Sequence, residues 1–169
     1  MDHALRRGLA AIALSTIAAP ALAEPVTYGA AYLHSWHIGN GELNDTTPGV
    51  TLGRRWPSVE TSREYHAEGG VFWNSYEEIS PILLGGVSWQ LAEIGPGALR
   101  LGASAGTARY EEQSKRLEDA FGIPNLGGFI PIVALTASYR MGATDIRLTT
   151  VPPDVDVDAI FNLSVAHEF

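Results

Sequence analysis

Three residues have the types and the placement for acyl chemistry: His37, Asn74 and Ser75. They are distant in sequence and meet only if His37 closes a first strand while Asn74 and Ser75 close the third at the same edge. An imidazole beside a hydroxyl is the smallest set that can pass an acyl group. The ring takes the proton of an attacking alcohol, and hydroxyl or amide groups steady the oxyanion. Asn74 is placed to orient the ring or to donate to that oxyanion. A histidine at a strand end is also common as plain solvated surface, so the surrounding elements have to decide. A second cluster, Asp154, Asp156 and Asp158, alternates as hard oxygen donors to a divalent cation would, or as any solvated acidic loop does. No metal or cofactor is expected for the acyl chemistry itself.

For those residues to meet, the chain must be a sheet. From residue 24 onward no window sustains helical periodicity, and segments of roughly ten residues alternate between apolar and polar or small positions. The last segment is the clearest: Phe161, Leu163, Val165, His167 and Phe169 share one face, and Asn162, Ser164, Ala166 and Glu168 the other. Strands are expected near 26–38, 49–57, 63–75, 81–92, 98–110, 128–140, 144–151 and 158–169. Eight of them fit an all-β, antiparallel, up-and-down transmembrane β-barrel of the smallest common size.

The connections support an orientation, because 57–62, 92–97 and 141–143 are short whereas 39–48 and 111–127 are long. Short turns face the periplasm and long loops face outward, which puts His37 and Ser75 at the outer rim. Tyr28, Trp56, Tyr65, Trp89, Tyr139 and Phe169 fall near one set of strand ends, and Trp36, Trp73, Phe129 and Phe161 near the other. Two aromatic girdles are what a bilayer selects. A soluble barrel or sandwich with aromatics in its core would alternate in the same way.

With the more apolar face of each strand turned to lipid, the inward set changes along the axis. Near the periplasmic end it holds His66, Glu68, Ser88, Gln90, Arg100, Ser138, Arg140, Asp145, Arg147 and Glu168, both signs together, as a polar plug would. Nearer the outer end it holds Phe72, Ile82, Leu84, Ile130, Ile132 and Ile160, with Gly86, Gly102 and Gly106 leaving space at middle depth. Such an apolar well suits a hydrocarbon chain, each buried methylene contributing roughly 0.8 kcal/mol. The same residues could instead pack one another as a dry core, since eight strands leave room only for side chains or one small ligand. Pro48 and Pro152 each remove a ladder hydrogen bond and either end strands or open a lateral gap for lipid. Loop 111–126 is a candidate lid without an assigned role.

The amino terminus supplies an address. Arg6 and Arg7 precede an apolar run to Ala19, and Ala21-Leu22-Ala23 offers small residues for cleavage, so residues 1–23 read as a secretory signal peptide and 24–169 as the barrel. A formal net charge of −8 argues against a nucleic-acid partner. The chain has no cysteine, so disulfides cannot stabilise it.

Several of these stretches together resemble the lipid A palmitoyltransferases of the outer membrane, the PagP type, over most of residues 24–169. Ser35-Trp36-His37 is similar to the family's first-strand Thr-Trp-His, whose histidine is catalytic there, and Asn44-Asp45 with Thr47-Pro48-Gly49 is similar to the segment that follows. Trp73 through Pro81, then Gly85-Gly86 and Trp89, resemble its third strand, loop and fourth strand. Phe129 to Val133 and Val151-Pro152 resemble its closing half. The resemblance implies a bacterial outer-membrane enzyme, exported through the periplasm, that moves palmitate from phospholipid to lipid A and measures the chain in an interior well. It implies lipid A and phospholipid as partners of a monomer. Two departures stand out: the family's Asp-Ser reads Asn74-Ser75, and its amino-terminal helix has no counterpart before the first strand. Asn cannot supply a carboxylate's charge, which keeps open a second reading, a non-catalytic barrel that binds lipid or an envelope partner.

Overall fold

The computed structural model describes residues 21–153 and 157–169. Most of the signal-peptide segment, and Asp154 and Asp156 of the acidic loop, lie outside the described residues. The described chain forms β1 (Val26–Ile38), β2 (Gly49–Pro57), β3 (Arg63–Trp73), β4 (Ile79–Ile94), β5 (Gly97–Arg109), α1 (Gln113–Phe121), β6 (Phe129–Met141), β7 (Thr144–Val151) and β8 (Ala159–Glu168). The strands close a barrel in sequence order, every neighbour antiparallel, with β8 returning to β1. Each strand lies where the alternation places it, within two residues at either end.

The expected absence of helix fails at one place. α1 crosses the third long loop, stops at Gly122 in the left-handed conformation, and buries Gln113, Ser114 and Leu117 against the barrel mouth. Two turns anchored by one leucine are too short to show a helical period, and their stability comes from what they cover.

The molecule is apolar outside and polar inside. Val50, Leu52, Leu83, Leu101, Val133 and Leu148 point outward and are exposed, whereas Arg55, Glu64, Glu68 and Asp145 are buried. A water-soluble barrel would show the opposite, so these outward residues meet hydrocarbon and the strands span a membrane.

The plug at the short-turn end is a connected ion network. Arg55 and Arg140 each place a guanidinium nitrogen 2.7 Å from Asp145, and Arg147 lies 2.9 Å from Glu68. Tyr28 and Tyr32 also donate to Glu68, at 2.7 and 2.8 Å. Pairing of this kind is what lets charges survive burial. Tyr28 corrects the girdle expectation: it points inward, fully buried, beneath the guanidinium groups of Arg55 and Arg147 at 4.3 and 4.9 Å. Arg55 and Glu64 complete the plug although their strands are too short, or too mixed, for alternation to single them out.

One irregularity decides the outer rim. The register of β1 against β8 slips between Tyr32 and His34, a β-bulge at Leu33. Below it Tyr28, Ala30 and Tyr32 face the lumen; above it Ser35 and His37 do, and Trp36 faces out. An unbroken period of two would have reversed that, since one extra residue exchanges the faces.

Candidate active site

The bulge brings His37 under the first outer loop, with only 1% of its side chain exposed. Its Nε2 lies 2.8 Å from Ser75 Oγ. Its Nδ1 lies 2.7 Å from Asp45 Oδ1. Ser75 begins the turn after β3, so two of the three residues singled out by type and placement do meet, across a gap of 38 positions in the chain.

Asn74 does not join them. It is fully buried and its amide is engaged within its own turn, Oδ1 accepting from the backbone N–H of Tyr76 at 2.9 Å and Glu78 at 3.0 Å, and Nδ2 donating to Ser80 at 2.9 Å. That pattern is an Asx turn, and it shapes the loop that presents Ser75. The orienting or oxyanion role expected for Asn74 is corrected to a structural one.

Asp45 was legible only as part of a family-like segment. The loop 39–48 that carries it is fixed on both sides. Ser35 N–H donates to the Asp45 carbonyl at 2.8 Å, and Ser35 and Thr47 share a buried hydroxyl pair at 2.7 Å. On the far side Asn44 N–H donates to Ser75 O at 3.3 Å, and Trp73 N–H to Pro48 O at 2.8 Å. The β1–β2 ladder stops at Tyr32 and Gly49, and this loop bridges the seam above it. Pro48 therefore ends a strand at a closed seam.

The β6–β7 seam is unpaired over its outer part among the described residues. Among those residues the two strands pair only from Met141 with Thr144 up to Leu135 with Thr150, leaving Ile130 to Ala134 bonded to β5 alone. Pro131, Pro152 and Pro153 have no amide hydrogens to extend that ladder. A cavity of about 310 Å³ occupies the mouth here, walled by His37, Ser75, Leu117, Ile130, Ile132 and Ile160, and it reaches the outward side of β6 at Pro131 and Val133. α1 roofs it. The volume is in the range of small-ligand sites.

The well expected at middle depth is different in kind. Ile130, Ile132 and Ile160 line the mouth cavity. Phe72 instead stacks on Tyr32 and meets Tyr110 edge-on, at centroid distances of 6.2 and 6.1 Å, and these rings form a floor across the lumen. Below it Leu84 and Gly102 border a polar space of about 60 Å³, and His66 bonds Ser104 at 2.9 Å. Gly86 and Gly106 leave no chamber, because a Cβ at either would collide with the backbone of a neighbouring strand. Ile82 lines neither space. Glycine here serves close strand approach in a barrel whose lumen is only side-chain wide.

Asp158 is the described member of the acidic trio, and its N–H closes onto the Ile38 carbonyl at 2.8 Å.

No family model matches the chain, nor does any curated protein. Among solved structures it is similar to a de novo designed transmembrane β-barrel, at 14% identity and a TM-score of 0.49, covering 89% of this chain and 98% of that one. It is also similar to the outer membrane protein Ail of Yersinia pestis, seen in a phospholipid bilayer nanodisc, at 11% identity and a TM-score of 0.46, covering 86% of this chain and 100% of that one. This chain is a closed eight-stranded transmembrane β-barrel whose long-loop end carries a serine, a histidine and an aspartate hydrogen-bonded in series.

Proposed function

We propose that this chain is an acyl-modifying enzyme of the bacterial outer membrane, exported through the periplasm by residues 1–23 and acting as a monomer on lipids of the outer leaflet. The observation that carries the reading is the 2.8 Å contact between Ser75 Oγ and His37 Nε2 in the wall of an apolar cavity open to the side of the barrel.

In this reading an acyl chain enters between β6 and β7 and its ester carbonyl comes to rest beside Ser75. His37 Nε2 takes the hydroxyl proton as Oγ attacks the carbonyl carbon. The tetrahedral oxyanion collapses, the ester C–O bond breaks, and the imidazolium returns its proton to the departing alcohol. An acceptor hydroxyl then attacks the acyl-serine with the same ring as base, which regenerates Ser75. The resemblance to the palmitoyltransferases suggests phospholipid as donor and lipid A as acceptor. The aromatic floor beneath the cavity favours an acyl chain lying sideways toward the seam over one descending the axis.

The test is mass spectrometry of lipid A and phospholipid from cells producing wild type, His37→Ala and Ser75→Ala at equal membrane insertion. Lipid A heavier by one acyl chain in wild type alone is the expected result. Lipid A lighter by one chain would make the enzyme a deacylase. No mass change in wild type would leave the alternative, a non-catalytic barrel holding lipid or an envelope partner in the same cavity.

A further inference from the structure

We infer that Asp45 is the positioning carboxylate of this site, supplied by the first outer loop in place of an acid beside the serine; this rests on the acyl-transfer reading above. A buried imidazole must satisfy both ring nitrogens, and His37 is buried to 1% side-chain exposure. Its Nε2 faces Ser75 at 2.8 Å and its Nδ1 faces Asp45 at 2.7 Å, so the two partners take opposite ends of the ring. A carboxylate can only accept, which fixes the proton on Nδ1 and leaves Nε2 as the acceptor for the serine hydroxyl. That is the tautomer a general base needs.

Asn74 cannot do this, because its amide is bonded into the turn through Tyr76, Glu78 and Ser80. The serine-bearing turn and the acid-bearing loop are joined by Asn44 N–H to Ser75 O, so Ser75 and Asp45 hold their spacing together. Asp45 itself keeps 46% of its side chain in solvent. Water screens its charge, and its effect is exerted mainly through ring orientation and tautomer.

The experiment compares wild type, Asp45→Asn and Asp45→Glu, refolded full-length in detergent micelles, by two readouts. The first is the ¹⁵N spectrum of the His37 ring; the second is acyl transfer from a phospholipid donor, followed across pH. Asp45→Asn is expected to move the ring proton from Nδ1 toward Nε2 and to lower kcat by about 10²- to 10⁴-fold with KM little changed. Asp45→Glu, which keeps the acceptor, should recover the wild-type tautomer and part of the rate. A ring spectrum and pH profile that are the same in Asp45→Asn as in wild type overturn the inference while leaving the enzyme intact. If wild type transfers nothing, the enzyme reading falls on its own, and the ring spectrum still decides whether Asp45 sets the tautomer.

Discussion

Glu64 on β3 receives both terminal nitrogens of Arg140 on β6, at 2.9 and 2.8 Å, directly across the barrel lumen. A parallel two-bond pairing of this kind is among the strongest charge-assisted contacts available to side chains. It ties opposite walls together, and Arg140 continues the chain to Asp145 at 2.7 Å. Neutral partners of similar shape would hold the lumen closed about as well, so the pair's larger effect appears when one member is lost.

Glu64→Gln is therefore expected to destabilise the barrel by about 3–5 kcal/mol, because it leaves Arg140 and its neighbour Arg100 short of a buried counter-charge. Urea unfolding from lipid vesicles, read by tryptophan fluorescence, measures this. The double variant Glu64→Gln with Arg140→Met should recover much of the loss. If the single variant unfolds at the wild-type midpoint, the network is not what closes this end.

Asn74→Asp tests the turn from the other side. By family likeness the exchange looks like a restoration. The geometry predicts damage: a carboxylate loses the N–H donated to Ser80 and sets like charge beside Glu78, whose oxygen lies 3.4 Å from Nδ2. Leaving buried groups unsatisfied costs about 1–3 kcal/mol. The variant should be less stable, and its acyl transfer no faster than wild type. A rate gain would show that the acid beside Ser75 can reach His37 and that Asp45 is not needed.

The barrel was legible because lipid outside and charge inside impose a period of two on every strand, and the short and long connections could be read from length. His66, Glu68, Arg140, Asp145 and Arg147 were placed inward on that basis, and they line the polar space. What alternation could not show was a break in itself. The bulge at Leu33 turns His37 inward, and only its partner register with β8 reveals it. Asp45 escaped for a related reason: it belongs to a loop, and its approach to His37 depends on hydrogen bonds from Ser35 and to Ser75 that no spacing rule encodes. The well was overread because glycine was taken as space. At Gly86 and Gly106 the absent Cβ is filled by neighbouring backbone.

The unpaired part of the β6–β7 seam makes the last prediction. If lipid reaches Ser75 from the side, an obstruction on the outward face of β6 must slow lipid substrates and spare small soluble ones. Val133 is exposed, borders both the mouth cavity and the outer groove beside Pro152, and lies above the last β6–β7 pair, Leu135 with Thr150. Val133→Trp places an indole across the gap while keeping an apolar, lipid-compatible surface. Turnover of a long-chain phospholipid should fall by about tenfold or more, equivalent to about 1.4 kcal/mol in the barrier, chiefly through KM. Hydrolysis of a short water-soluble ester, entering from the loops, should change less than twofold. The comparison is internal to one variant, so a folding defect cannot imitate it: misfolding lowers both rates together. Unchanged turnover of both substrates would place lipid entry elsewhere on the rim, whereas equal loss on both is the mark of misfolding and calls for the smaller Val133→Phe in its place.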